Sequence, residues 1–295
     1  MNKKVKFAPT LENIETRQKL AENTVRNSYP IGKKKIANVP VELMNIPPYQ
    51  RDKELHVYSL AENWDDDLCN VLKVNYDENN KWFNIIDGQH RATAARMNGV
   101  EYLVCEIAMN LTISEQAKEF VIGNTMSRRL SPFDTFKANQ FIVGKDETEE
   151  SRIDKEIKSL CDKYDIKVKK TNAKGALKSV TVARAIVKRD GIEGLEWVFN
   201  VIIDSTWNNF SNGFNGDLMA SLGKLYSYSG INKTILKNKL CEFLKKSSYV
   251  ELLAMGNNMY PNLTRTGRLD AILADVVTDG NNDDKDKYSR ITRIA

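Results

Sequence analysis

The sequence predicts an α/β protein: a small α/β domain followed by a mostly α-helical one. Three observations carry that reading. Between residues 36 and about 110, strand-like apolar runs at 39–43, 68–76, 82–86 and 102–108 alternate with helical stretches. After Gly144 the pattern turns helical, with apolar residues at three-to-four spacing in 151–164, 180–188, 195–203, 218–226, 233–246 and 269–277. Within the first pattern lies a sharp junction: the run Phe83-Asn84-Ile85-Ile86 stops at Asp87-Gly88, and an alanine-rich helix former follows until Asn98-Gly99 closes it.

Taken in order, residues 1–35 are polar, with one weakly amphipathic segment at 10–27 that reads as a docking helix or a flexible arm. The α/β domain is expected over 36–143. Within it Ser114 and Glu115 open a helix with Ala117, Phe120 and Val121 on one face, and Ser131-Pro132 opens the next. The helical domain is expected over 144–280, and 281–295 form a polar tail that frays. Val180, Ala183, Ile186 and Val187 make a core stripe, and Asp190-Gly191 stops that helix. Trp197, Phe199, Trp207, Phe210 and Phe214 fit a helical core better than a stacking platform.

With 295 residues and 41% hydrophobic content, the chain is long enough for two domains with real cores. It contains no apolar run of the roughly 18 residues that a membrane-spanning helix needs. The basic start, Met-Asn-Lys-Lys-Val-Lys-Phe-Ala-Pro, lacks the apolar stretch of a secretory signal. Cys69, Cys105, Cys161 and Cys241 lie far apart without paired spacing. They read as buried thiols of a reducing cytoplasm, not as disulfides or a zinc site.

The net charge is +5, and its distribution says more than its size. Basic residues gather at Lys33-Lys34-Lys35, at Arg128-Arg129 and across Lys163, Lys167, Lys169, Lys170, Lys174 and Lys178. Acids gather at Asp65-Asp66-Asp67, across 147–150 and in the tail around Asp279 and Asp283. The lysine stretch surrounds Thr171-Asn172-Ala173-Lys174-Gly175, an exposed loop by composition. Such a loop is either a nucleic-acid phosphate contact or a solvated surface, and no aromatic residue interleaves with its lysines. The candidate DNA contacts are Lys169, Lys170 and Lys174, with Arg128 and Arg129.

The candidate site is the junction itself. Gln89-His90-Arg91 sit at a helix N-terminus directly after a strand, where free N–H groups and the helix dipole favour an anion. Arg91 adds a positive fork, and Gly88 lets backbone approach a ligand closely. His90 is one of only two histidines. The cradle suits a nucleotide or another phosphoryl group, with Asp87 and His90 as candidate catalytic groups. Asp87 either supplies a carboxylate or caps the helix. Upstream, Pro47-Pro48 stiffens the chain before Tyr49-Gln50-Arg51, which presents an aromatic ring, an amide and a guanidinium together. That set either stacks on a base and contacts phosphate, or packs Tyr49 over the sheet edge with Arg51 paired to an acid.

Three segments of residues 36–134, about a third of the chain, match one family in order. They are Val39-Pro40-Val41-Glu42-Leu43 with Pro47-Pro48-Tyr49-Gln50-Arg51; Ile86-Asp87-Gly88-Gln89-His90-Arg91-Ala92; and Gly123-Asn124-Thr125-Met126-Ser127-Arg128-Arg129-Leu130-Ser131-Pro132-Phe133-Asp134. The region resembles the nucleotide-binding domain of the ParB/sulfiredoxin superfamily in its DGQHR form. Relatives include ParB, the DndB-type proteins of DNA phosphorothioation systems and the GmrSD-type restriction proteins with their DGQQR motif. The resemblance implies a nucleoside triphosphate with Mg²⁺ held by Tyr49, Gln50, Arg51, Gly88, Gln89, His90 and Arg91. Asn124 matches the family's metal-associated Asn. It also implies DNA as a partner, allows a homodimer, and points to the cytoplasm of a phage or mobile-element host.

Three departures limit the carry-over. Gln89 stands where sulfiredoxin has its nucleophilic Cys, which argues against sulfinic acid repair. Gly123 and Ser127 replace the family's Glu and Arg, so nucleotide hydrolysis by the ParB route is in doubt. The segment 179–187 falls where ParB relatives carry a helix-turn-helix, yet its stripe reads as core. The expected function is therefore a nucleotide-controlled DNA-binding or regulatory module. NTPase activity of the CTPase or ATPase kind stays open, and the alternative is an NTP-dependent nuclease or phosphotransferase on the same scaffold.

Overall fold

Strand-forming runs in the first half of the chain assemble into a mixed sheet because helices cover both sides of its central strands. The computed structural model describes residues 13–32, 34–51, 56–126, 130–228 and 232–278. The chain divides into two units, 1–151 and 152–295.

The first unit contains β1 (Tyr29–Ile31), β2 (Lys34–Pro40), β3 (Met44–Asn45), β4 (Leu72–Asp77), β5 (Trp82–Asp87) and β6 (Tyr102–Met109). They form one sheet in the order β1-β2-β6-β4-β5-β3. β4 runs parallel to β6 and β3 parallel to β5, and the other neighbours are antiparallel. The helices are α1 (Ile14–Arg26), α2 (His56–Glu62), α3 (Gln89–Met97), α4 (Ile113–Met126) and α5 (Pro132–Asn139). Val74, Phe83, Ile85, Leu103, Cys105 and Ile107 form one buried core with Ala21 of α1 and Ala92 and Ala95 of α3. Ile86 belongs to a second core with Tyr49, Ala117 and Phe120 of α4, and Ala138 of α5. Successive strand residues point to opposite faces, so a strand covered twice reads as a continuous apolar run, as 83–86 does.

Several expectations need correction. Of the two readings of the N-terminal segment the docking helix holds and the flexible arm does not, over the described residues 13–32: Asn13 caps α1 by accepting from Thr16 N–H at 3.1 Å, Ala21 is buried in the sheet core, and Tyr29 pairs with Ile36. The run 39–43 is not one strand. Pro40 has no N–H to continue a ladder, so β2 ends there and Val41–Leu43 close a 3-10 turn. The run 68–76 becomes a strand only from Leu72, because the Asp65 side chain accepts from Asp67 N–H and holds 65–69 in turns.

The second unit comprises α6 (Glu149–Lys163, from Arg152 onward), β7 (Lys167–Val168), β8 (Ala176–Leu177), α7 (Val180–Asp204), α8 (Gly216–Ser227), α9 (Lys233–Leu244), α10 (Tyr249–Met259) and α11 (Arg265–Thr278). α7 is its spine: Val180, Ala183, Ile186, Leu195, Val198 and Phe199 are all buried, and non-helical backbone at Gly191 breaks it where Asp190-Gly191 was expected to. The Arg184 guanidinium donates to both oxygens of Asp154, at 2.6 and 2.7 Å, tying α7 to α6. Sequence periodicity misses α10, whose start is a reciprocal cap between Ser248 and Glu251. It also misses the short parallel pair β7–β8. Phe210 is not core but 54% exposed, whereas Trp207 is buried and donates from Nε1 to Leu244 O at 2.7 Å.

Among the described residues no helix is long and apolar enough to cross a membrane. Cys105, Cys161 and Cys241 are buried free thiols; Cys69 is half-buried. The tail 281–295 lies outside the described residues.

Candidate functional site

β5 ends at Asp87 and α3 starts at Gln89, leaving Gly88 to make the whole turn. Gly88 has φ 95°, a left-handed conformation that L side chains resist. A Cβ there would lie 2.5 Å from Leu72 Cγ and 3.2 Å from an Arg91 guanidinium nitrogen. Glycine is therefore demanded twice, by backbone and by space. As the N-cap it offers no side chain to the N–H groups of the first turn, which leaves that end of the helix open to an anion.

Arg91, in that turn, is anchored. One guanidinium nitrogen donates to Asn70 O at 2.6 Å and Val71 O at 3.3 Å, and another reaches Asp87 Oδ2 at 3.2 Å. The exposed Asp87 carboxylate thus pairs with Arg91 and does not cap α3. Of its two expected alternatives, capping is ruled out by this geometry.

The opposite wall comes from the Pro47-Pro48-Tyr49-Gln50-Arg51 segment. Tyr49 is fully buried, with ring centroids 5.7 Å from Phe120 and 6.5 Å from Phe141. Its hydroxyl meets Ile85 O and Gln116 Oε1, each at 3.3 Å, and burial holds that hydroxyl well above the usual phenol range. The expectation that Tyr49 stacks on a base is therefore corrected: no face of the ring is available to a ligand. Gln50 donates from Nε2 to Ile85 O at 2.8 Å and Ile86 O at 2.7 Å, fastening this segment to the end of β5.

Arg51 is held at both ends. Its backbone oxygen accepts from Gln89 Nε2 at 3.1 Å, and its guanidinium donates to Asn124 Oδ1. Asn124 is buried on α4 and donates in turn to Phe120 O at 2.8 Å. The Asn124 side-chain oxygen, expected to face Mg²⁺, here accepts from Arg51. Its one acceptor already faces a cation, and a metal ion would have to displace a like charge. Among the described residues no group of three or more His, Cys, Asp or Glu is arranged to hold a metal.

Between these walls lies a cavity of about 320 Å³, lined by Gln50, Arg51 and residues 87–91, with Leu60 and Phe120 as apolar sides. That volume is at the small end of ligand sites. Gln89 is 6% exposed, and its Oε1 has no hydrogen-bond partner among the described residues. A buried acceptor left so costs on the order of 1–3 kcal/mol, which a ligand donor would recover. His90 is half-buried in the wall. The site thus combines two fixed guanidinium groups, an open helix start, one orphaned acceptor and a single carboxylate. Leu60 and Phe120, and the Asn70 and Val71 carbonyls behind Arg91, carry no local sequence signal, because they arrive from separate elements.

The remaining candidates lie elsewhere. Lys169, Lys170 and Lys174 occupy the loop joining β7 to β8; Lys169 and Lys174 are exposed and Lys170 is half-buried. Arg128 and Arg129 lie outside the described residues.

No protein-family model matches the sequence, and no curated protein matches it either. Among solved structures the chain is similar to the C-terminally truncated chromosome-partitioning protein ParB from Caulobacter crescentus complexed to the centromeric parS site. That similarity has a TM-score of 0.35 and 12% identity, over 81% of this chain and 98% of that one. For the same ParB complexed with CTP-gamma-S the TM-score is 0.29 and the identity 11%, over 82% and 98% of the two chains. Neither likeness is close enough to add to the fold described above.

Proposed function

We propose that the first unit binds a nucleoside triphosphate through its phosphoryl groups at the start of α3, and that the protein acts with DNA as a nucleotide-controlled, ParB-like module. The observation that carries this reading is the convergence of Arg51 and Arg91 on one cavity beside the open N-terminus of α3. Both guanidinium groups are oriented by protein acceptors before any ligand arrives, so little ordering cost is left for binding.

Arg91 can exchange Asp87 for a phosphoryl oxygen. Asp87 is exposed, and a pair of that kind is worth about 0–1 kcal/mol, so its release opposes binding weakly. The orphaned Gln89 Oε1 suits a donor on the same ligand, such as a sugar hydroxyl or a base amino group. The residues fit a phosphoryl anion. With Asn124 engaged by Arg51, Asp87 is the rim carboxylate toward any Mg²⁺ that accompanies the triphosphate. One carboxylate already paired with Arg91 favours binding over turnover as the role of the cavity. Contact with DNA phosphates is assigned to Lys169, Lys170 and Lys174 in their loop. The motif resemblance supports the pairing of nucleotide with DNA.

Calorimetric titration with each of the four ribonucleoside triphosphates and Mg²⁺ tests the reading. Arg91→Ala should weaken binding by about 1.5–3 kcal/mol, roughly ten- to 150-fold, the scale of a lost charge-assisted contact. Unchanged affinity in a stably folded variant would remove the cradle. Cleavage of plasmid DNA that depends on Arg91 would replace a binding module with a nuclease.

A further inference from the structure

The lysine loop between β7 and β8 is fastened to a second loop distant in sequence. Gly175 N–H donates to Asn208 O at 2.9 Å, and Asn172 Nδ2 donates to Asn212 Oδ1 at 3.3 Å. Between those two attachment points sits Phe210, 54% exposed. A single exposed Phe is ordinary on a protein surface. This one is held in place. Its ring meets Trp207 edge-on with centroids 6.4 Å apart, its N–H donates to Trp207 O at 2.9 Å, and its carbonyl accepts from Gly213 N–H at 3.1 Å. The loop is drawn so tightly over Trp207 that a Cβ on Gly213 would lie 2.0 Å from the Trp207 oxygen. Trp207 itself is locked into the core of its unit.

The lysine loop has no aromatic residue of its own, and the fold supplies one. Phe210 and Asn209 are exposed on a loop that the Gly175–Asn208 and Asn172–Asn212 hydrogen bonds join to the loop carrying the exposed cations Lys169 and Lys174. A ring face accepts any base by stacking, while lysines track the phosphates on either side. We propose that loops 169–175 and 207–213 form a binding surface for single-stranded DNA, with Phe210 stacking on an unpaired base and Lys169 and Lys174 contacting flanking phosphates. The inference rests on the DNA half of the function proposed above and adds the strandedness and the stacking residue.

The test is fluorescence anisotropy of the full chain with a labelled oligothymidylate and with a duplex of equal length, across a salt series. The wild type should prefer the single strand. Phe210→Ala should weaken that binding about fivefold or more with an unchanged salt slope, and Phe210→Trp should restore it. Lys169→Ala with Lys174→Ala should lower the slope by about 1.4, roughly 0.7 for each lost phosphate contact. Phe210→Ala loses only the edge-on contact with Trp207, so the variant should stay folded with a melting temperature lowered by a few degrees at most. Duplex binding as tight as single-strand binding, or a Phe210→Ala variant that binds normally, overturns the surface while leaving the nucleotide site and DNA association intact. No DNA binding by the wild type overturns the surface and the DNA half together, and calorimetry with triphosphates then reports on the cavity alone.

Discussion

Replacing Gly88 with alanine probes the one residue on which the geometry of the cavity turns. The left-handed backbone at φ 95° costs a residue with a Cβ about 1–2 kcal/mol. The new methyl also lies 2.5 Å from Leu72 Cγ, and Leu72 is 1% exposed with no room to retreat. Overpacking of that kind adds about 1–3 kcal/mol. Gly88→Ala should therefore destabilise the protein by roughly 2–5 kcal/mol in urea titration. The contact at 3.2 Å with the Arg91 guanidinium should also weaken triphosphate binding. The two contributions separate in a double-mutant cycle. Leu72→Ala alone costs about 2–5 kcal/mol as a core truncation but removes the obstacle, so the double variant should fall short of the sum by about 1–3 kcal/mol. Strict additivity would mean the clash is absent, and a loss under about 0.5 kcal/mol for Gly88→Ala alone would refute the conformational argument as well.

Other outcomes follow from the same physics. Asp154→Ala leaves the Arg184 guanidinium, only 13% exposed, without its carboxylate and should cost about 3–5 kcal/mol by urea titration; under 1 kcal/mol would mean the pair is solvated. Tyr49→Phe removes a hydroxyl facing two acceptors at 3.3 Å and should cost about 0.5–1.5 kcal/mol while leaving triphosphate affinity unchanged; a selective loss of affinity would return Tyr49 to the site. Burial pushes the Cys161 thiol up to about 12 from an ordinary value of 9.0. The folded state thus favours the protonated thiol, so its stabilising effect is whole below pH 9.0 and is lost as pH rises toward about 12, by roughly 1.4 kcal/mol per unit. The urea midpoint should fall over that window less steeply in Cys161→Ala, and an equal slope in both proteins would assign the fall to other groups.

Much of the architecture was legible along the chain because its signals are local. The apolar run 83–86 ending at Asp-Gly, the Ser131-Pro132 start and the three-to-four stripes of the second half each depend on neighbours within a few residues. The stripes placed Val180, Ala183 and Ile186 in the core, where they are. The same signals misjudged Phe210, since an aromatic near a helix end looks the same whether it faces the core or the solvent. They also missed α10, although Ser248 and Glu251 stand at capping-box spacing, because only Leu252 and Gly256 along that helix are buried.

The candidate site divides along the same line. Residue order alone settled that a glycine and then the polar cluster Gln89-His90-Arg91 would open α3, since helix starts are set by capping and backbone conformation, whereas the burial of Gln89 came only with the fold. It could not settle which acceptors would hold Arg91, that Arg51 would reach Asn124 across 73 positions, or that Tyr49 would face inward. Those outcomes depend on how the sheet stacks between α3 on one side and α4 on the other. Side-chain partners are chosen by proximity in space, and proximity between distant segments exists only after the chain has packed.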